Sequence, residues 1–228
     1  MNTIDPVFLA ADLAKTGHAR LPLLDPAECL ELAGLYDTSE NFRSRVVMQR
    51  HGYGSGEYKY LSYPLPDLIA QLRKTLYSPL AAIANDWAMQ LGDPQKFPDT
   101  HEAYLGNCHA AGQVKPTPLL LRYAEGDYNC LHQDLYGELV FPLQLTVLLS
   151  EPGTDFTGGE FLLVEQRPRM QSRGEAIALA QGEAVIFPVR HRPVRGVRGV
   201  YRVTVRHGVS RVRSGIRQTL GIIFHDAA

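Results

Sequence analysis

Three short pieces of the chain hold residue types that can do chemistry together: His132-Gln133-Asp134, His207, and Arg217-Gln218-Thr219. Two imidazoles and one carboxylate are the donor set of an iron(II) site that leaves positions open for reactants. His132 and Asp134 are two apart, so at a strand end both point to one face and can reach one ion. Alone, a His-x-Asp pair is a weak signal, because surface pairs of this kind arise easily by chance. His207 ends the run Tyr201-Arg202-Val203-Thr204-Val205-Arg206-His207, whose alternation sets Tyr201, Val203, Val205 and His207 on one face. A histidine on such an apolar face is more often a hydrogen-bonded core residue than a ligand. The strand that follows shifts the balance. Arg217, Thr219, Gly221 and Ile223 share one face, and Gln218, Leu220, Ile222 and Phe224 the other. If the second set packs under helices, Arg217 points inward, where a guanidinium without a partner is strongly destabilising. No acid shares its strand face. A planar fork with a hydroxyl two residues on is a seat for the far carboxylate of a dicarboxylate such as 2-oxoglutarate, and Gly221 would leave room for it.

The elements that must position these residues divide the chain in two. The first hundred residues read as mostly helical. Asp5-Pro6 and Asp25-Pro26 each put an N-cap before a proline at the first helical position, and Glu28 completes a capping box with Asp25. Leu68, Ile69, Leu72 and Leu76 make one apolar stripe. Ser78-Pro79 marks a fresh helix start before Leu80, Ile83, Ala84 and Trp87. Residues 49–63 hold three glycines and four tyrosines (Tyr53, Tyr58, Tyr60, Tyr63). That composition suits a strand pair whose tyrosines cover a core edge, or a loop closing over a substrate. Residues 92–118 read as loop with a short helix near 101–110.

From Leu119 the pattern turns to short apolar runs broken by turns, with strands expected at 119–123, 143–149, 160–165, 176–179, 184–187, 201–207 and 217–224. The fold class is mainly β with a helical annex: a double-sheet jelly roll with N-terminal helices packed on one face. Residues 1–118 would be a helical support and loop region and 119–228 the catalytic core, together one integrated domain.

Composition removes several functions. No apolar run approaches a membrane span, and the N-terminus (Met1-Asn2-Thr3-Ile4-Asp5) lacks the pattern of a signal peptide. Three scattered cysteines (Cys29, Cys108, Cys130) with no CxxC pair argue against a disulfide framework or structural zinc and for a reducing compartment, with the cytoplasm expected. Cys130 reads as a buried small hydrophobe ahead of a reactive thiol near a metal, and Glu160 as structural. Nucleophile-elbow, phosphate-loop and dinucleotide motifs are missing. The net charge of −1 hides twelve arginines and two acids between Gln166 and Arg217. Those arginines are either solvated strand faces or a local anion-binding surface.

Taken in order, these motifs resemble one family. His207-Gly208-Val209, Val212 and Gly215-Ile216-Arg217-Gln218-Thr219-Leu220 are similar to the segment carrying the second iron histidine and the 2-oxoglutarate arginine in prolyl-hydroxylase-like oxygenases. Arg122-Tyr123-Ala124-Glu125-Gly126-Asp127-Tyr128 resembles the approach to their His-x-Asp motif. Leu145-Thr146-Val147-Leu148-Leu149 and Asp155-Phe156-Thr157-Gly158-Gly159-Glu160 resemble the strand and turn after it. The resemblance covers nearly half the chain. It implies a double-stranded β-helix and an iron(II)- and 2-oxoglutarate-dependent dioxygenase. His132, Asp134 and His207 would hold the metal, Arg217 and Thr219 would bind 2-oxoglutarate with Tyr123 as a further donor, and dioxygen would be the second co-substrate. The chain also resembles a bacterial group of such oxygenases described as acting on damaged DNA.

Two departures stand out. Asp134 and His207 are 73 residues apart, longer than the family pattern. The excess is an arginine-rich insertion beside the site, which brings a rival ligand in His191, though without the spacing seen after His207. AlkB-type nucleic-acid demethylases carry a second arginine six residues after the first, and here that position is Ile223. The implied activity is hydroxylation or oxidative demethylation with release of succinate and carbon dioxide. The substrate is either a peptide or small molecule, or nucleic acid bound through the basic stretch from Arg190 to Arg213, where Arg192, Arg195, Arg198, Arg211 and Arg213 could meet phosphates. No membrane partner is expected. The alternative from another class is a cupin-like metal-binding or sensor module without turnover. Arg217-x-Thr219 counts against it, because a bare metal site has no use for a carboxylate seat.

Overall fold

The computed structural model describes residues 5–197 and 199–228, so Met1 to Ile4 and Arg198, one of the expected phosphate contacts, lie outside the described residues. Helices form where the caps predict. Helix α1 (Pro6–Lys15) starts with the Asp5 carboxylate accepting from the Val7 amide at 2.8 Å. Helix α2 (Pro26–Gly34) starts with the reciprocal Asp25–Glu28 capping box. Helix α3 (Asp67–Leu91) runs unbroken through Pro79, and α4 (His101–Ala110) is capped by Thr100. The helix start expected at Ser78-Pro79 is therefore corrected. Ser78 caps nothing and bonds the Asp99 carbonyl instead. An interior proline costs about 3 kcal/mol, but Leu72, Leu76, Leu80 and Ile83 on one continuous stripe are buried against the sheet and outweigh it.

Strands are β1 (Ala19–Pro22), β2 (Phe42–Val47), β3 (Gly54–Ser55), β4 (Glu57–Leu61), β5 (Leu119–Tyr123), β6 (Tyr128–His132), β7 (Leu143–Leu148), β8 (Phe156–Gly158), β9 (Phe161–Gln166), β10 (Arg173–Ile177), β11 (Glu183–Pro188), β12 (His191–Gly196), β13 (Gly199–Val209), β14 (Val212–Gly215) and β15 (Arg217–Ile222). One sheet has the order β1-β11-β7-β15-β5-β4-β2. The other has the order β10-β9-β13-β6-β3, with β12 on β13, and β14 pairs with β8. The two sheets face each other as a double-stranded β-helix. Leu220, Ile222 and Phe224 lie under the helices in one core, while Leu148, Phe161, Phe187, Val203 and Val205 fill the space between the sheets.

The first 118 residues are less helical than expected, since β1, β2 and β4 extend the large sheet. Residues 49–63 include a short 3-10 turn (Met48–His51), β3 and β4, with Tyr60 buried. Within this stretch β3 pairs with β6 in one sheet and β4 with β2 and β5 in the other, and Tyr53 and Tyr58 line the cavity described below.

The C-terminal residues are pinned from α3. Arg73, 1% exposed, donates to the carbonyls of Ile223 and His225 at 2.9 and 3.1 Å and pairs with Asp226 at 2.8 Å. Burial pushes the Asp226 carboxyl up, but Arg73 and the hydrogen bonds from His109 and Tyr63 outweigh that and hold it below its ordinary value. Removing one member of a buried pair strands the other, so Arg73→Met should destabilise the fold by about 3–5 kcal/mol in urea melts at neutral pH. The depressed carboxyl contributes stability above its unfolded pKa of about 3.9, and that contribution is lost as pH falls through the folded value. The gap between variant and wild type should therefore narrow in acid; a gap independent of pH would contradict this account.

Candidate metal centre and co-substrate pocket

Register brings the first two motifs together. His207 on β13 is the direct cross-strand partner of His132 on β6, with ring centroids 4.2 Å apart. Asp134 follows two residues past His132, 8% exposed. The His132 Nε2 lies 3.4 Å from Asp134 Oδ1 and the His207 Nε2 lies 3.3 Å from Oδ2. One candidate ligand atom from each residue falls within 4.8 Å of the others, the only such group among the described residues. His132 Nδ1 is 2.7 Å from the Cys130 carbonyl. A carbonyl only accepts, so Nδ1 carries the proton and Nε2 presents a lone pair inward.

Electrostatics favour an ionised Asp134 and a neutral His207, while the carboxylate favours the proton on His132. Burial opposes charge on Asp134, yet the two imidazoles beside it outweigh that and hold the carboxyl well below its ordinary range. Burial, with His132 nearby, lowers the pKa of His207. Burial also acts to lower His132, but Asp134 wins and raises it. An ionised carboxylate with a neutral His207 is the form a divalent cation takes up, so the donor set fits the expected metal. His191 is not part of this group. It pairs with Thr204, three residues back along β13 from His207.

The third motif lies on the wall of the same cavity. Arg217 opens β15 opposite Tyr123 of β5, is 2% exposed, and has no partner for Nε or Nη1 among the described residues. Burial pulls its guanidinium down to about 10. The rings of Tyr123 and Phe156 flank it at 5.7 and 5.9 Å. Gly159 has φ +63, and a Cβ there would lie 2.7 Å from Arg217 Cδ, so only glycine gives that side chain its space. Thr219 is 2% exposed, two residues on. Tyr123 is fully buried, with burial raising its phenol to about 12, and it accepts from Asn129 Nδ2 at 3.3 Å, which leaves its own hydrogen free to donate. A cavity of about 370 Å³ joins His132, Asp134, His207, Tyr123, Arg217 and Thr219.

Several expectations need correction. The space at Gly221 is taken by Leu119, whose Cδ2 would be 2.7 Å from an added Cβ, so it is not room for a ligand. Cys130 is exposed and lines the cavity, because its strand lies at the mouth and not in the core. Glu160 stays structural, accepting from the Ser210 hydroxyl. The arginine-rich insertion is the β12–β13 hairpin. Its turn at Val197 is ten residues from His207, on the order of 30 Å along the strand. The insertion is thus mostly remote from the site. Arg192 is 1% exposed, paired with Glu165 at 2.5 Å and hydrogen-bonded to the end of α1, so it cannot meet phosphates. Sequence reasoning missed Asn129, Tyr136 and Gln144. The last left a trace, as the only amide in the otherwise apolar run Leu143-Gln144-Leu145-Thr146-Val147-Leu148.

Iron(II) added without oxygen should raise the melting temperature of wild type and His191→Ala, by an amount equal to about 2.7 kcal/mol at a hundredfold excess over Kd. His207→Ala should show no shift. The reverse pattern would move the metal site to His191.

Residues 56–227 match the family model Oxygenase-NA, described as an oxygenase catalysing oxidative methylation of damaged DNA. Two strains of Mycobacterium tuberculosis each have an uncharacterised protein 55% identical over 165 residues, covering 72% of this chain and 71% of theirs. The fold is similar to a Pseudomonas putida prolyl-4-hydroxylase, at 15% identity and TM-score 0.54, covering 98% of this chain and 100% of that one. It is also similar to an oxidoreductase of the 2-oxoglutarate–iron(II) oxygenase family from Burkholderia pseudomallei, at 15% identity and TM-score 0.55, covering 100% and 94%. No described helix is long and apolar enough to cross a membrane. With most of its length matched by the family model, the chain belongs to the Oxygenase-NA family of oxygenases, and its fold is similar to that of 2-oxoglutarate–iron(II) oxygenases.

Proposed function

We propose that His132, Asp134 and His207 hold iron(II), that Arg217, Thr219 and Tyr123 hold 2-oxoglutarate, and that the substrate is nucleic acid. The observation behind the co-substrate seat is the buried guanidinium of Arg217, with two nitrogens lacking partners, on the wall shared by the His/Asp/His group. Its fork is matched to a carboxylate, Thr219 offers a hydroxyl beside it, and Tyr123 a phenolic proton. When bound, the metal supplies the oxidising power, using dioxygen and the decarboxylation of 2-oxoglutarate to succinate. The chain's own part is to orient the co-substrate and keep water out with Leu121, Leu145, Phe161 and Phe187 along the cavity. A C–H bond placed there is hydroxylated, and a carbon on a heteroatom is lost as a demethylation. We also propose that residues 1–118 and 119–228 form one integrated unit.

The nucleic-acid reading draws on the family description and on exposed arginines between Arg190 and Arg213. Arg190, Arg206, Arg211 and Arg213 are exposed, with no carboxylate partner among the described residues. Arg211 lies 5.6 Å over the ring of Tyr128, which is 38% exposed, and Tyr53, also exposed, stacks on His51 at 5.3 Å. Flat groups interleaved with cations suit bases and phosphates together. A second reading, hydroxylation of a peptide or small molecule, is favoured by the apolar side of the cavity, where Ile223 packs with Leu119 and Tyr60 in place of a second arginine.

Two measurements test these proposals. Arg217→Met should abolish detectable 2-oxoglutarate binding by calorimetry while leaving the melting temperature at or above wild type, because an unpaired buried charge is replaced by an apolar chain. Retained binding would remove Arg217 from the seat. Affinity for a single-stranded oligonucleotide should fall with salt, at a log–log slope of about −0.7 for each phosphate contact, and Arg206→Ala and Arg211→Ala should each flatten it by about that amount. Binding without salt dependence would favour the second reading.

A further inference from the structure

Asp134 has more than its two histidines around it. The Tyr136 hydroxyl donates to Oδ1 at 2.8 Å, and the Gln144 amide Nε2 donates to Oδ2 at 2.8 Å. Each carboxylate oxygen therefore has one imidazole and one neutral donor. The Gln144 orientation follows from chemistry, since the flipped amide would set its oxygen against a carboxylate. The same Nε2 lies 3.3 Å from Nε2 of His207. An amide nitrogen only donates, so that contact is a hydrogen bond when His207 Nε2 is the unprotonated nitrogen, the form a metal needs.

Core packing does not call for the Gln144 amide. Gln144 is 3% exposed in the middle of β7, between Leu143 and Leu145, and its Oε1 has no partner. A buried amide with half its hydrogen-bonding capacity unused is less favourable on a core strand than a leucine of similar size. Its contacts are with Asp134 and His207. Tyr136 is held from behind. Gln113, 2% exposed, donates to the Tyr136 carbonyl at 3.3 Å, to the Leu139 carbonyl at 3.0 Å and to the Asp226 carbonyl at 2.6 Å, and its Oε1 accepts from the Leu139 amide at 2.8 Å. An added Cβ at Gly137 would lie 2.5 Å from the Gln113 side chain, so the loop after Asp134 seats directly on it. Tyr60 also meets the Tyr136 ring edge-on at 6.2 Å. The phenol is thus fixed in position before any ligand arrives.

We infer that Tyr136 and Gln144 are positioning residues for the metal site: they fix the plane of the Asp134 carboxylate, one donor on each oxygen, and thereby set affinity for a divalent cation. This rests on the proposed metal assignment. With one lone pair of each oxygen engaged by a donor, the pair that remains on each oxygen is the one facing the histidines. Without the donors the carboxylate is free to rotate about its bond, and affinity falls because that freedom is lost only on binding. Partners of this kind typically change metal affinity by about 10–100-fold.

The test uses the full chain stripped of metal with a chelator, with manganese(II) followed by calorimetry and cobalt(II) by its visible spectrum. Tyr136→Phe and Gln144→Leu should each weaken manganese(II) binding by about 10–100-fold and change the cobalt(II) band shape, with the melting temperature of the stripped protein at or above that of wild type. Tyr136→Phe deletes a single oxygen and keeps the ring packing, so it carries the test even where Gln144→Leu does not fold. Unchanged affinity and an unchanged cobalt(II) spectrum in Tyr136→Phe would overturn the inference. So would an affinity loss that comes only with a lower melting temperature of the stripped protein. A wild type that takes up no manganese(II) would contradict the metal assignment itself, and with it this inference.

Discussion

The arrangement depends on one charge that the protein buries and does not pair. Arg217 is 2% exposed, and two of its guanidinium nitrogens lack acceptors among the described residues. A fold selected for stability alone would not keep it, because an apolar residue of that volume is more favourable at such a site. Its position is nonetheless heavily constrained. Tyr123 is its cross-strand partner, Phe156 covers its other side, and Gly159 is close enough that no side chain fits there. Stability given up locally, in a geometry fixed by the surroundings, is what a pre-organised ligand seat requires. Burial also weakens the hold on the proton, pulling the group down to about 10, which still leaves it charged near neutrality.

The metal centre follows the same logic with opposite signs. Here a buried carboxylate is over-supplied with partners: two imidazoles, a phenol and an amide. Cross-strand pairing of His132 with His207 fixes the distance between the imidazoles, and the Cys130 carbonyl fixes the tautomer of the first. The two sites are joined by β15 and β5, since β15 runs from Arg217 along the cavity wall to Ile222 and pairs with β5 from Tyr123 back to Leu119. On the proposed assignment, a dicarboxylate held at Arg217 would lie in the same cavity as Asp134. The helices contribute more than cover. Arg73 of α3 and Gln113 after α4 hold the C-terminal residues and the loop behind Asp134 in one network.

Much of this was legible in the residues, and the physical reason differs case by case. Strict alternation in β13 and β15 told which face of each strand is inward, because a half-buried strand has a period of two that sequence displays directly. The faces of Arg217, Thr219 and His207 were read that way. The N-terminal strands β1, β2 and β4 were not, since they are short edge or near-edge strands with mixed burial and little alternation. Pro79 was misread because a local breaker was weighed without the tertiary burial that overrides it. The insertion was misplaced for a topological reason. Proximity in sequence to His207 implied proximity in space, whereas an extended hairpin carries residues away at more than 3 Å per residue. Gln144 could not be assigned, because nothing local ties a residue on β7 to a carboxylate ten positions earlier, and Tyr136 lies in the loop just past Asp134, where no periodicity tells which way a side chain points.

The central claim is that one cavity holds iron(II) and 2-oxoglutarate together, with the carboxylate seat on Arg217 and the metal on the histidines. The most direct measurement is the visible absorption of the purified chain under nitrogen, titrated with iron(II), with 2-oxoglutarate, and with both. The account predicts a weak charge-transfer band that appears only with both present and decays on admitting oxygen, with succinate formed. A chain that binds each separately but gives no band with both would contradict it.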